Sequence, residues 1–327
     1  MSDMDPVPES ERIVSTPATD VLGRTTVAAT SAPSTTPAEI ELSGMVQVSE
    51  RQQARRENWR LIRRRPAFIV GVFIVLVWTI CALFGDSIAP HNPYDFRTGT
   101  HLSPRADYPF GTDISGRDVL SRVIVGARDV LKIAPLGAVL GVLLGVVAGL
   151  VMGYFGRWID NVLSRIVESF LALPVLLVAL LATTTFGAST WVVIFVVAAL
   201  FTPIVARTVR SAVIAERDLD YVTSAKLRGE SSTFVMFREI LPNVMGPIIV
   251  ELTVRVGYAV FTVATLSFLG AGPQPPSADW GTQVNDAYRS ISANIWWTSV
   301  FPGLAIASLV IAVNLIADSV QSVLEGS

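Results

Sequence analysis

Glu251 and Arg255 are the side chains best placed to do chemistry inside an apolar run, because four residues on a helix put them on one face where they can pair. Charge at such a position is costly and calls for a reason. Two readings stand: a structural pair or subunit contact, or part of a polar path through the apolar layer. Other reactive types are sparse. Cys81 is the single cysteine and lies within an apolar run, which excludes an intrachain disulfide. His91 and His101 lie ten residues apart with no second ligand pair, so no metal is expected. Lys132 and Lys226 are the only lysines, and neither follows a glycine-rich turn, so a phosphate-binding loop is excluded. If this chain moves a solute uphill, the energy enters from another chain.

Composition explains why charge is scarce. Of 327 residues, 51 % are hydrophobic and 16 % charged, against about a quarter charged in soluble domains. The net charge of −2 gives no reason to expect a nucleic-acid partner. The apolar residues cluster at about 66–86, 132–153, 168–186, 190–212, 246–269 and 298–318, runs near the roughly 20 residues that cross a bilayer. The expectation is an all-α membrane protein with six transmembrane helices. Pro174 interrupts the third run and Glu168 stands at its start, making it the weakest. Residues 1–50 are rich in Ser, Thr, Pro and Ala, lack the basic-then-apolar order of a secretory leader, and are expected to be a disordered cytoplasmic tail.

Basic residues set the orientation. Arg51, Arg55, Arg56, Arg60, Arg63, Arg64 and Arg65 form a juxtamembrane segment (51–65) abutting the first span, which places both termini in the cytoplasm. Residues 87–131 and 270–297 then become outer loops. Val119, Leu120, Val123 and Ile124 have helical spacing with basic residues between, as in a helix lying at the outer interface. Trp296 and Trp297 have the position of interfacial anchors. The core, 132–320, holds the remaining spans.

Gly137, Gly141, Gly145, Gly149 and Gly153 recur every fourth residue and make a smooth stripe that lets another backbone approach closely. The stripe reads as tight helix packing or as a surface that slides or lines a pore.

The polar stretch "YVTSAKLRGESSTFVMFREILPN", residues 221–243, separates two apolar runs on the inner side. Residues 216–228 read as a short helix, with Asp220 early and Lys226 and Arg228 late, in keeping with the helix dipole. Gly229 has the place of a C-terminal stop. A second short helix over about 231–240 carries Phe234 and Phe237 on one side, and Leu241-Pro242 ends it. Either this is a solvated loop or it is a rigid elbow for docking.

The stretch resembles the EAA loop of ABC-importer permeases, with Ala225, Gly229, Ile240, Leu241 and Pro242 in register and Thr223 and Ser224 where Glu and Ala are usual. "FGTDISGRDVLSRVIVGAR" (110–128), "FLALPVLLVALL" (170–181) and "LSFLGAGPQPPSADWG" (266–281) resemble the C-type permease of dipeptide and oligopeptide importers, a family that also serves nickel and other cargoes. The resemblance spans about 60–320 and implies the type I (MetI-like) importer bundle with cytoplasmic coupling helices. It implies a non-catalytic subunit of the bacterial plasma membrane, partnered by a second, B-type permease, two ATPase subunits that bind ATP and Mg, and an extracytoplasmic solute-binding protein. No cofactor is expected on this chain. Asp220, Tyr221, Ala225, Lys226, Arg228, Gly229, Glu239, Leu241 and Pro242 would couple to an ATPase. A stand-alone carrier or channel, and a membrane scaffold or sensor, are the rival classes.

Overall fold

A computed structural model describes residues 65–96, 99–274 and 276–324. The expected tail and most of the basic segment lie outside the described residues. The described chain is helical, and its only β-type pairings are two isolated bridges in the 99–118 loop. The helices are α1 (Pro66–Ile88), α2 (Val119–Phe155), α3 (Arg157–Leu171), α4 (Val175–Phe186), α5 (Thr190–Glu216), α6 (Asp220–Leu227), α7 (Met245–Phe268), α8 (Trp280–Ala287) and α9 (Trp297–Leu324). Short helical turns fill 232–243 and 288–293.

α2 and α5 are the spine. Beta carbons built on the glycine stripe would collide with α5 at successive turns: Gly137 with Val197, Gly141 with Ala198 and Phe201, Gly145 with Val205, Gly149 with Val209, and Gly153 with Val213. Both partners advance by four together, so every-fourth-residue ridges interlock along the whole seam. The face that could have lined a pore is occupied by a helix of the same chain. Because the two sequences rise together, α2 and α5 run parallel, and the intervening chain must return across the layer between them. α3 and α4 make that return as one span bent by 87°. The bend falls at Pro174, whose own backbone is extended (ψ 112°) and which disfavours helix in the residue before it. With α1, α2, α5, α7 and α9 this gives six crossings. The third expected span needs correction at its start, since Glu168 belongs to the amphipathic α3, which buries none of its residues.

The largest departure concerns residues 119–131. They are not a separate interfacial helix but the opening turns of α2, whose 37 residues extend roughly 55 Å, well beyond an apolar layer of about 30 Å. Asp118 caps the helix by accepting from the Ser121 backbone N–H. The helical spacing was real, but the apolar face of Val119, Val123, Ala127 and Val130 is buried against protein. Arg122, which flanks this face, is 1 % exposed, donates to the carbonyls of Pro93 and Ser277, and faces Asp113. Two loops, 89–118 and 269–296, therefore close over this end of α2. Trp297, expected at the interface, is also buried and lies against the Thr112 carbonyl, while Trp296 stays exposed.

Trp280 is the keystone of this end. It is 0 % exposed, donates from Nε1 to the Val123 carbonyl at 2.8 Å, and meets Trp78 of α1 edge-on at 4.7 Å. Gly126 lets it in, since a beta carbon there would sit 2.2 Å from the Ala278 carbonyl. Trp280→Ala is expected to lose about 3–5 kcal/mol, measured as a drop in the melting temperature of the purified protein. A melting point within a degree of the parent would refute the keystone role.

Candidate functional site: a polar elbow between two spans

α5 ends at Glu216, and the chain turns through Arg217–Leu219 before α6 begins. The single helix expected over 216–228 is thus two, broken where Arg217 leaves α5 to donate to the Gly153 carbonyl at 2.9 Å. That bond ties the elbow to the last turn of α2. Lys226 strengthens the link by donating to the Arg217 carbonyl at 3.3 Å and lying 5.4 Å from the Tyr154 ring centre.

α6 has two unlike faces. Val222 and Ala225 are wholly buried, whereas Leu219, Asp220, Thr223, Ser224 and Leu227 are exposed, Leu227 by 84 %. Tyr221 stands between the faces and donates its hydroxyl to Glu216 at 2.7 Å. Burial and this acidic neighbour push its phenol up to about 12, so it remains a donor throughout the physiological range.

Gly229 closes α6 with a left-handed φ of +77°. Its N–H bonds the Lys226 carbonyl, and the Glu230 N–H bonds the Ala225 carbonyl, which is the paired stop that terminates helices at glycine. A beta carbon on Gly229 would meet nothing within 4 Å. The requirement for glycine is therefore conformational rather than steric.

The second limb starts at Ser231, whose hydroxyl accepts from the Phe234 N–H. Residues Val235–Ile240 form a widened π-helical turn, and Leu241–Asn243 continues it as an α-turn. Leu241-Pro242 does not stop this limb, because Pro242 occupies a first-turn position where its missing N–H costs nothing. The break falls instead at Val244. Arg228 and Glu239 pair across the limbs at 3.4 Å, and Asn243 donates to the Glu239 carbonyl. Phe237 is exposed and Phe234 half-buried beneath Arg238.

What makes this a unit is the floor beneath it. Val222 and Ala225 of α6, Val235 and Ile240 of the second limb, Val142, Val146 and Leu150 of α2, Val205, Val209 and Val213 of α5, and Val244 and Ile248 around the start of α7 form one apolar cluster. Leu241 packs against it. Close packing transmits displacement with little loss, so a push on the exposed crest reaches three spans.

Glu251 and Arg255 lie on α7, apart from the elbow. They pair at 2.8 Å, with Thr208 of α5 donating to the other Glu251 oxygen at 2.8 Å. Arg255 also lies over the rings of Phe201 and Tyr258. Sequence reasoning missed the clamp between Arg210 of α5 and Asp160 of α3, a two-bonded ion pair with one contact at 2.6 Å. Its partners are 50 residues apart, so no local spacing rule could pair them. Among the described residues no cluster of metal-ligating side chains occurs.

Comparison with known proteins gives two family matches. Residues 145–327 match the family described as binding-protein-dependent transport system inner membrane component. Residues 54–104 match the N-terminal TM domain of oligopeptide transport permease C. The chain is 38 % identical over 277 residues to the dipeptide transport system permease protein DppC of Escherichia coli (strain K12), covering 83 % of this chain and 92 % of that one. The protein of the same name from Bacillus subtilis is 35 % identical, covering 83 % and 85 %. That of Alkalihalophilus pseudofirmus is 34 % identical, covering 83 % and 89 %.

Proposed function

We infer the function from a premise now in hand: the chain belongs to the family of binding-protein-dependent transport system inner membrane components. It is a membrane-spanning permease of an ABC importer, and the relatives named for dipeptide transport support a di- or oligopeptide cargo. The chain forms half of the path, and a second permease of the B type completes it. The elbow, 216–242, sits in a groove on an ATPase subunit that binds ATP and Mg. An extracytoplasmic solute-binding protein meets the loops 89–118 and 269–296, and both termini are cytoplasmic. The chain performs no chemical step itself.

The observation that carries this reading is the shared apolar cluster beneath the elbow. A motor that closes on the exposed crest of Asp220, Thr223, Ser224 and Leu227 moves α2, α5 and α7 together. ATP binding then favours one of two bundle states, and hydrolysis returns it, which is what alternating access requires. Reconstitution in vesicles tests it. Dipeptide accumulation is expected only with ATP, the ATPase subunits and the binding protein all present. Accumulation by this chain without a nucleotide-binding partner would overturn the reading in favour of a stand-alone carrier. Accumulation of nickel in place of peptide would keep the machine and change the cargo.

A further inference from the structure

Five arginines lie in the spans that consist of one helix, and four have partners: Arg122 faces Asp113, Arg128 pairs with Asp86, Arg210 with Asp160 and Arg255 with Glu251. Arg207 of α5 is the fifth. It is exposed and has no hydrogen-bond or ion-pair partner among the described residues. Nine residues, roughly 13 Å, separate it from the end of α5. It points away from α2, because the seam uses Val205 and Val209 on the opposite face. An arginine this near the end of a span reaches either the interface or a polar cavity.

A cavity is present. Arg207, Thr208, Ser211, Ala212 and Ala215 of α5, with Pro247 of α7, line an open-sided groove of about 590 Å³. Glu251, which accepts from Thr208 of α5, is already paired with the Arg255 guanidinium. The groove thus carries one uncompensated guanidinium beside two hydroxyl side chains, and small residues leave room next to it. A guanidinium binds a carboxylate through two parallel bonds. Every unmodified peptide presents one such group, its C-terminus, whatever its sequence.

We propose that Arg207 reads the free C-terminal carboxylate of the cargo within this groove. This rests on the peptide reading above. The site holds the feature common to all peptides and leaves the variable side chains to the space over Ser211, Ala212 and Ala215.

The test uses the complete importer in vesicles, with one dipeptide and its C-terminal amide as cargoes. R207Q is expected to lower the carboxylate-to-amide uptake ratio about tenfold, the factor expected for one charge-assisted contact. R207K, which keeps charge but loses the two-bonded geometry, is expected to fall between and serves if R207Q does not assemble. An unchanged ratio in both variants overturns the assignment. So does a loss in R207Q that appears only in vesicles containing anionic lipid, which would give Arg207 to a headgroup phosphate. So does loss of the second permease on purification of R207Q, which would give it to that subunit. If the parent complex imports neither peptide form, the peptide reading itself fails and this assignment falls with it.

Discussion

Gly229→Val is expected to lower ATP-driven uptake about tenfold or more while the protein still reaches the membrane. The reason is confined to the backbone. Gly229 has φ +77° and nothing within 4 Å of where a beta carbon would sit, so the first side-chain carbon of valine meets no clash. What it meets is the left-handed conformation, which costs an ordinary residue about 1–2 kcal/mol and a β-branched one more. That cost falls on the stop that joins the limbs through the Gly229–Lys226 and Glu230–Ala225 bonds. Since about 1.4 kcal/mol is a factor of ten in an equilibrium, the strained turn lowers the ratio of formed to unformed elbows by about that factor. The substitution series makes the argument specific. Asparagine tolerates this conformation better than alanine, and alanine better than valine, so uptake is expected to fall in the order Asn, Ala, Val. Purified complexes would be assayed for both uptake and ATPase stimulation by loaded binding protein. Equal damage from asparagine and valine would show that the empty space matters, as it would if a partner fills it, and would sink the backbone account.

The second large effect lies in the seam. Gly145→Leu should leave no folded protein in the membrane, because the first side-chain carbon would lie 2.6 Å from the Val205 beta carbon and 3.0 Å from the Thr202 carbonyl. The carbonyl is backbone and cannot swing aside, so the helices must part, breaking contacts above and below. Overpacking of a tight site costs about 1–3 kcal/mol and at times more. Gly145→Ala sets two effects against each other. Alanine gains about 0.5–1 kcal/mol of helix stability, but the same 2.6 Å contact applies, so the net outcome is a loss. Shortening the opposing side chain in a Gly145→Ala, Val205→Ala double variant should recover part of it. Thermal unfolding in detergent reads all three. If the double variant is simply the sum of its singles, the contact is not what makes glycine necessary there.

Within the elbow, Gly229, Ala225 and the polar interruption of an apolar chain were legible because each is a local property. Helix termination depends on a handful of neighbouring residues, and the sequence carries those neighbours. The boundaries were less so. Arg217 breaks the expected 216–228 helix to reach the Gly153 carbonyl, 64 residues earlier. Pro242 was read as a stop, yet a proline costs nothing in the first turn of a helical segment, and only the structure shows that Leu241 begins one. The register of exposure along α6 also came from folding. Thr223 and Ser224, where the resemblance to the EAA loop is imperfect, lie on the outward crest, while the matching Ala225 is wholly buried. The departures therefore fall on the exposed side and leave the packed side intact.

By itself the sequence determined a helical membrane protein, its approximate spans, its glycine stripe and a polar segment with a glycine stop between two of those spans. These follow from run length, four-residue spacing and the conformational limits of glycine and proline, all of which act over short distances. Tertiary structure decided what each face meets. It matched the stripe to Val197, Val205, Val209 and Val213 of α5, which made α2 and α5 parallel and the bent α3–α4 pair a single return. It turned residues 119–131 from a surface helix into the buried head of α2. It also gave Arg210 a partner and left Arg207 without one among the described residues, although they lie three residues apart on one helix. Spacing along a chain fixes which residues share a face, but the charge or apolar surface opposite that face is supplied by distant segments.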